Sequence, residues 1–163
     1  MPVTREQAFE ALSSLKPAQI FLESYKMEIL PENMDIYFRP PEEFFLEPEA
    51  QEFYTANHLI PILSSGSSDA IIFLDPATGD LIEKSLETPS EVRMTYHGWQ
   101  QYLASVMLEV CSAIDEMDHI GRIADLIGFL HVDELFAHLR QSGTLQGEQW
   151  ETAQDEFVAG IPV

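Results

Sequence analysis

Residues His58–Glu87, "HLIPILSSGSSDAIIFLDPATGDLIEKSLE", decide the fold. "LIPIL" predicts a short strand, and Pro61, which cannot donate to a ladder, predicts an edge or a bulge within it. "SSGSSD" is a turn of small residues. "AIIFL" is apolar at every position, Ile71 and Phe73 on one side and Ile72 and Leu74 on the other, as in a central strand covered on both faces. "DPATG" closes a hairpin: Asp75 opens the turn, Pro76 presets φ, and Gly79 takes the left-handed position. "LIEKSLE" returns as the partner strand.

Outward from this hairpin the texture becomes helical in both directions. Thr4 and Gln7 have the spacing of a capping box, and Phe9, Leu12 and Leu15 continue as a stripe until Lys16-Pro17 breaks it. "AQIFLESYKMEIL" predicts a second helix with Ile20, Phe21, Tyr25, and Met27 or Ile29 turned inward, ended by Pro31. "MDIYFR" reads as a strand with Ile36 and Phe38 on one face. "TPSEVRM" reads as a connector. "YHGWQQYLASVMLEVCSAI" has the strongest helical periodicity, with Trp99, Leu103, Val106, Val110, Cys111 and Ile114 recurring on one face. Two or three further helices follow, one closed by Gly143 and one by Gly160. Helices, short strands with tight turns, and helices again predict an α+β fold with an antiparallel sheet of about four to six strands.

The 163 residues fit one domain, and one cysteine, Cys111, excludes an intramolecular disulfide framework and suits a reducing compartment. No basic-then-apolar leader and no apolar run of membrane-spanning length is visible, so a cytoplasmic location without membrane insertion is expected. Eight Lys and Arg face 28 Asp and Glu, a formal charge of −20. The excess is even along the chain: four basic against eleven acidic residues over 1–57, two against eight over 58–115, two against nine over 116–163. Such a body repels nucleic acid and anionic lipid and steers a basic partner inward.

Individual residues suggest four catalytic or cofactor chemistries, and each has a plainer role. Ser65, Ser67, Asp69 and Asp75 with His58 nearby resemble hydrolase components, yet "SSGSSDA" has no nucleophile elbow, and turn chemistry accounts for these residues. His58, His97, His119, His131 and His138, the cluster Asp115, Glu116, Asp118 and His119, and the i, i+4 pair Glu134 and His138 are the metal-ligand candidates. The Glu134–His138 spacing could supply two ligands but equally makes a helix ion pair. The sequence has no H-E-x-x-H, no EF-hand loop and no cysteine pair, so no metal and no cofactor is expected. Cys111, on an apolar helix face, predicts a core thiol rather than a nucleophile. No glycine-rich loop has a phosphate-binding spacing.

"PPEEFFLEPEAQEFY" is the most concentrated acidic patch, with Glu42, Glu43, Glu47, Glu49 and Glu52 and no basic residue. It reads either as a solvated loop whose phenylalanines cap the core, or as a surface for an Arg/Lys-rich protein with Phe44 or Phe45 as the buried anchor.

Several of these stretches, in order, resemble the SUKH superfamily, which contains the yeast Smi/Knr cell-wall regulators, bacterial Syd and many bacterial immunity proteins. The residues that carry the resemblance are "PAQIFLESY", "FRPPEEF", "LIPILSSGSSDAIIFLDPATGDLIEKSLE" and "WQQYLASVM", spanning roughly residues 16–112. The small-residue turn holds less glycine than is usual there, and residues 116–163 run past the pattern. The resemblance implies an α+β core, expected over 1–115; the helical texture beyond it predicts a C-terminal helical extension over 116–163 packed on the same domain. It also implies a protein-binding, non-enzymatic role with no catalytic residues to transfer. The leading expectation is an immunity protein whose acidic surface neutralises a basic toxin. A regulatory or assembly scaffold is the alternative within the family, and a metal-dependent hydrolase is the alternative outside it.

Overall fold

The computed structural model describes residues 2–54, 58–66 and 69–163. The chain forms two compact units, Met1–His97 and Gly98–Val163. This division does not coincide with the one expected after residue 115, and it groups the helix that follows the sheet with the C-terminal helices.

The first unit is built on a five-stranded antiparallel sheet, β1 (Phe38–Arg39), β2 (Ile60–Ser65), β3 (Ala70–Leu74), β4 (Leu81–Ser85) and β5 (Met94–Tyr96). Each strand pairs with its neighbour in sequence, so the sheet is a simple meander. With the helices described below it makes an α+β fold, as the alternation of textures predicts. All five residues of β3 are buried, as a strand with no polar face requires. The β3–β4 turn forms as its residues dictate. Ala77 N–H donates to the Asp75 carboxylate at 2.9 Å, Gly79 N–H donates to the Asp75 carbonyl at 2.8 Å, and Gly79 sits at φ +80°.

Pro61 marks a bulge. It pairs with Phe73 while Leu63 pairs with Ile72, which leaves Ile62 as the extra residue of β2. β1 pairs only with Ser64 and Ser65, so Pro61 has a strand neighbour on the β3 side alone. The carbonyl of Ile62 accepts a 2.6 Å hydrogen bond from the buried Tyr25 hydroxyl. That bond satisfies an acceptor that the bulge would otherwise strand.

Burial holds the Tyr25 phenol well above its ordinary pKa, the nearby Arg5 guanidinium opposing the rise and Glu42 adding to it. The folded state therefore keeps a proton that the unfolded chain releases near pH ~10. Stability from Tyr25 is complete below that pH and is lost as pH climbs above it. Subtracting the ultraviolet titration of Tyr25→Phe from that of the wild type should reveal no phenolate until the fold is lost. A phenolate appearing at the ordinary pH would refute the buried Tyr25–Ile62 bond.

Three helices precede or interrupt the strands: α1 (Arg5–Ser14), α2 (Gln19–Glu23) and α3 (Glu42–Leu46). The Thr4–Gln7 capping box is present in full. The second helix is shorter than its apolar stripe predicts and ends at Glu23. Met27 and Ile29 are consequently exposed, at 44% and 78%. "MDIYFR" also departs from the strand expected of it. Pro31–Ile36 forms short 3₁₀ turns broken by a kink at Glu32 and Asn33, and only Phe38–Arg39 reaches the sheet. The cause is local: the Asp35 carboxylate accepts from Leu30 N–H at 3.1 Å, a side-chain bond that competes with ladder pairing. Ile36 is thereby turned to solvent while Phe38 is buried against Phe21, ring centroids 4.2 Å apart. The expected connector "TPSEVRM" contains the start of β5, whose three residues are too few to show alternation.

The second unit comprises α4 (Trp99–Ala113), α5 (Met117–Ile127), α6 (Val132–Ser142) and α7 (Gly147–Gly160). Two glutamines in "WQQ" hold it together. Gln100 donates to Gly128 O at 2.9 Å and accepts from Leu130 N–H at 3.0 Å, at the end of α5. The buried Gln101 donates to Ile161 O at 3.0 Å and Ala159 O at 3.3 Å, at the end of α7. Helix ends expose carbonyls without intrahelical partners, and these two amides supply them. Gly128, at φ +78°, closes α5 in the left-handed conformation. Among the described residues no helix is long and apolar enough to cross a membrane.

Candidate functional site

The acidic segment from Pro41 to Tyr54 folds as two short turns of helix, α3 and a 3₁₀ turn over Pro48–Phe53. Pro48 forbids their fusion into one helix by removing a donor. Elements this short have little stability of their own, and polar ties fix the segment at three points. At its start, Glu42 accepts from the Arg5 guanidinium at 2.9, 3.0 and 3.2 Å, and Arg5 also donates to Tyr25 O. In its middle, buried Gln51 accepts from Val3 N–H at 2.7 Å and donates to Val3 O at 2.8 Å and Phe44 O at 3.0 Å. At its end, the Lys84 ammonium donates to Tyr54 O at 2.6 Å.

Lys84 reaches that carbonyl from the sheet. The β3–β4 register pairs Ile71 with Lys84 and Phe73 with Ile82, so all four side chains share a face. The aliphatic stem of Lys84 lies on that face and its head finds the end of the acidic segment. Burial lowers its pKa, because the charged form loses hydration.

Phe44 packs on the same face in a cluster with Leu59, Ile71 and Phe73, and with Tyr54 at its edge. Its ring centroid lies 5.0 Å from that of Tyr54 and 6.1 Å from that of Phe73. At 2% exposure Phe44 belongs to the core and cannot anchor a partner, which corrects one of its two expected roles and supports the other. Phe45 is half-buried. Glu42 is half-buried and already paired with Arg5.

What the segment offers to solvent is a different set. Glu43, Glu47, Glu49 and Glu52 are exposed, and none has an ion-pair partner among the described residues. The same segment exposes two apolar side chains, Leu46 at 81% and Phe53 at 71%. These two apolar residues were not singled out in the sequence. For Leu46 the signal is an apolar run over residues 44–46, longer than a five-residue helix can bury on one side; Phe53 carries none. The segment is thus an acidic ridge of four exposed carboxylates that also exposes two apolar side chains; Phe44 and Lys84 fasten it to the sheet, and Gln51 fastens it to the backbone of Val3.

The other candidates are dispersed. Ser65 Oγ donates to the Asp69 carboxylate at 2.8 Å and accepts from Ala70 N–H at 3.3 Å, the pattern of a turn. His58 approaches Asp75 at 3.9 Å, at the opposite end of β2 from Ser65. Along an extended strand that separation is roughly 16 Å or more, beyond the hydrogen-bond reach a serine–histidine pair needs. Ser67 lies outside the described residues. No group of three or more His, Cys, Asp or Glu able to hold a metal occurs among the described residues. His97 contacts Asp80 at 3.2 Å, and His131 lies 3.8 Å from Glu134. His138 contacts Gln154 at 3.0 Å and stacks on Phe157, whereas Glu134 was its expected partner. Cys111 is partly rather than fully buried. Burial still raises its pKa to about 11, so the thiol stays protonated at neutral pH and is a poor nucleophile. Compared with protein families, curated proteins and solved structures, the chain matches none.

Proposed function

We propose that this chain is a non-enzymatic, SUKH-like protein-binding domain that acts in the cytoplasm as an immunity protein, occupying the basic, nucleic-acid-facing cleft of a cognate toxin. The observation that carries the reading is that one segment exposes Glu43, Glu47, Glu49 and Glu52 together with Leu46 and Phe53. Carboxylates stand where phosphates would, and the two apolar side chains anchor the complex. An apolar centre inside a charged rim is the usual arrangement of an interface, with the charges setting encounter rate and the anchors setting residence. Polar ties already hold the segment in place, so little ordering cost remains to be met on binding.

A pull-down from source-cell lysate at low and moderate salt, read by mass spectrometry, tests this. A basic partner that free nucleic acid competes away supports toxin neutralisation. A housekeeping partner insensitive to nucleic acid moves the assignment to a regulatory or assembly scaffold. With the partner in hand, its association rate should fall steeply with added salt, because encounter between opposite charges is screened. An on-rate indifferent to salt would sink the electrostatic part.

A further inference from the structure

A cleft of about 700 Å³ opens beside the acidic ridge and shares Leu46 with it. Its lining is unusual for so acidic a protein. Three of the chain's eight Lys and Arg face it: Arg5, Lys26 and Arg39. Arg5 is committed to Glu42 and the Tyr25 carbonyl. Arg39 donates to the Gly66 carbonyl, and the Lys26 ammonium lies 5.9 Å from the centroid of the Phe9 ring. Neither Arg39 nor Lys26 has a carboxylate partner among the described residues. Of the acids at the cleft, Asp35 is bonded to Leu30 N–H and Glu42 to Arg5, while Glu28 lies on the wall. Beside the two cations are Met27, Ile36 and Leu46, exposed by 44%, 57% and 81%.

The wall that carries Asp35 and Ile36 is preformed under strain. Glu32 and Asn33, neither of them glycine, both sit at φ +56°, a conformation that persists only where its surroundings impose it and that clusters at ligand sites. The loop lies backbone-to-backbone on Gly66, where a Cβ would fall 1.4 Å from Ile36 O.

We propose that this cleft binds a small amphiphilic monocarboxylate, its carboxylate held by Arg39 with Lys26 as the second cation and its apolar body against Met27, Ile36 and Leu46. The volume lies in the range of small-molecule sites, and the arginine fork matches a carboxylate. The field of a −20 protein selects the charge of the ligand. Every further negative charge meets the long-range repulsion again, so a monoanion whose affinity comes from its apolar body is favoured over a polyphosphate or an acidic protein. The same repulsion disfavours a second copy of this chain. A free organic acid and the C-terminal carboxylate of an apolar peptide share the required chemistry. The two cations lie outside the ridge, and Leu46 is the residue that this proposal shares with the toxin reading.

Titration of the ¹⁵N-labelled full chain with octanoate, followed by NMR, tests it. Octanoate should shift resonances of residues 24–28, 35–40 and 66, and octanol should bind far more weakly. Arg39→Gln and Lys26→Gln should each weaken octanoate by about tenfold, the loss expected for one charged hydrogen bond, with the remaining spectrum unchanged as the control for folding. Acetyl-Gly-Gly-Leu as free acid and as amide distinguishes the source: tighter binding of the acid than of octanoate assigns the site to a polypeptide terminus, and the reverse assigns it to a free acid. Octanol shifting the spectrum as strongly as octanoate, octanoate affinity indifferent to both substitutions, or no shift at millimolar octanoate would overturn the proposal.

Discussion

Phe44→Ala is expected to lower the unfolding free energy by about 3–5 kcal/mol, the range for removing a buried aromatic ring. The ring is 2% exposed and packs on Leu59, Ile71 and Phe73, so its loss leaves a cavity on the face of the central strand. The remaining ties are polar: Arg5 to Glu42, Gln51 to the backbone of Val3 and Phe44, and Lys84 to the Tyr54 carbonyl. The segment should therefore loosen as well as the fold weaken. Urea unfolding measures this as a fall in midpoint at unchanged slope. Phe45→Ala, at a half-buried position, is the comparison and should cost clearly less. A Phe44→Ala penalty below about 1 kcal/mol, within the range of ordinary substitutions, would refute the packing described for the ring.

The second large effect lies two residues further on and has the opposite character. Replacing Leu46 and Phe53 together by serine should leave stability within about 0.5 kcal/mol of the wild type, as for exposed positions without special contacts. Partner affinity should fall by at least about 2 kcal/mol, roughly thirtyfold, the loss that defines a binding hot spot. The loss should appear in the dissociation rate. Converting Glu43, Glu47, Glu49 and Glu52 to glutamine should instead slow association and flatten its salt dependence. Surface-immobilised partner recovered from the lysate would resolve the two rates. Unchanged affinity in the serine variant would place the binding face elsewhere on the molecule.

These two experiments divide one stretch, "EEFFLEPEAQEF", into residues that build the fold and residues available for function, and the division was not legible in the sequence. Phe44, Phe45 and Leu46 in a five-residue helix and Phe53 at the end of a 3₁₀ turn are all large and apolar, and elements this short have no periodicity to tell them apart. Burial was decided by what lay across from each: Phe73 and Tyr54 meet Phe44, and solvent meets Leu46. Arg5 and Gln51 also carry no local signature, since their partners lie 37 and 48 residues away.

What the sequence determined by itself was the periodic and the local. The meander's central strand, its Asp75–Gly79 turn, the Thr4 capping box and the bulge at Pro61 all follow from side-chain alternation, fixed φ values and bonds spanning a few residues. The charge of −20, and the repulsion it imposes on anions, needs no fold at all. Tertiary structure alone decided which apolar side chains of the short segments went inside, how Tyr25 came to cap the bulged Ile62 carbonyl, and how Arg39 and Lys26 came to face one cleft. Those outcomes depend on contacts between residues far apart in the chain. Short elements lack the repeated pattern that would announce such contacts, and packing against a distant partner outweighs a local preference worth only a fraction of a kcal/mol per residue, about 0.7 at most for ordinary residues.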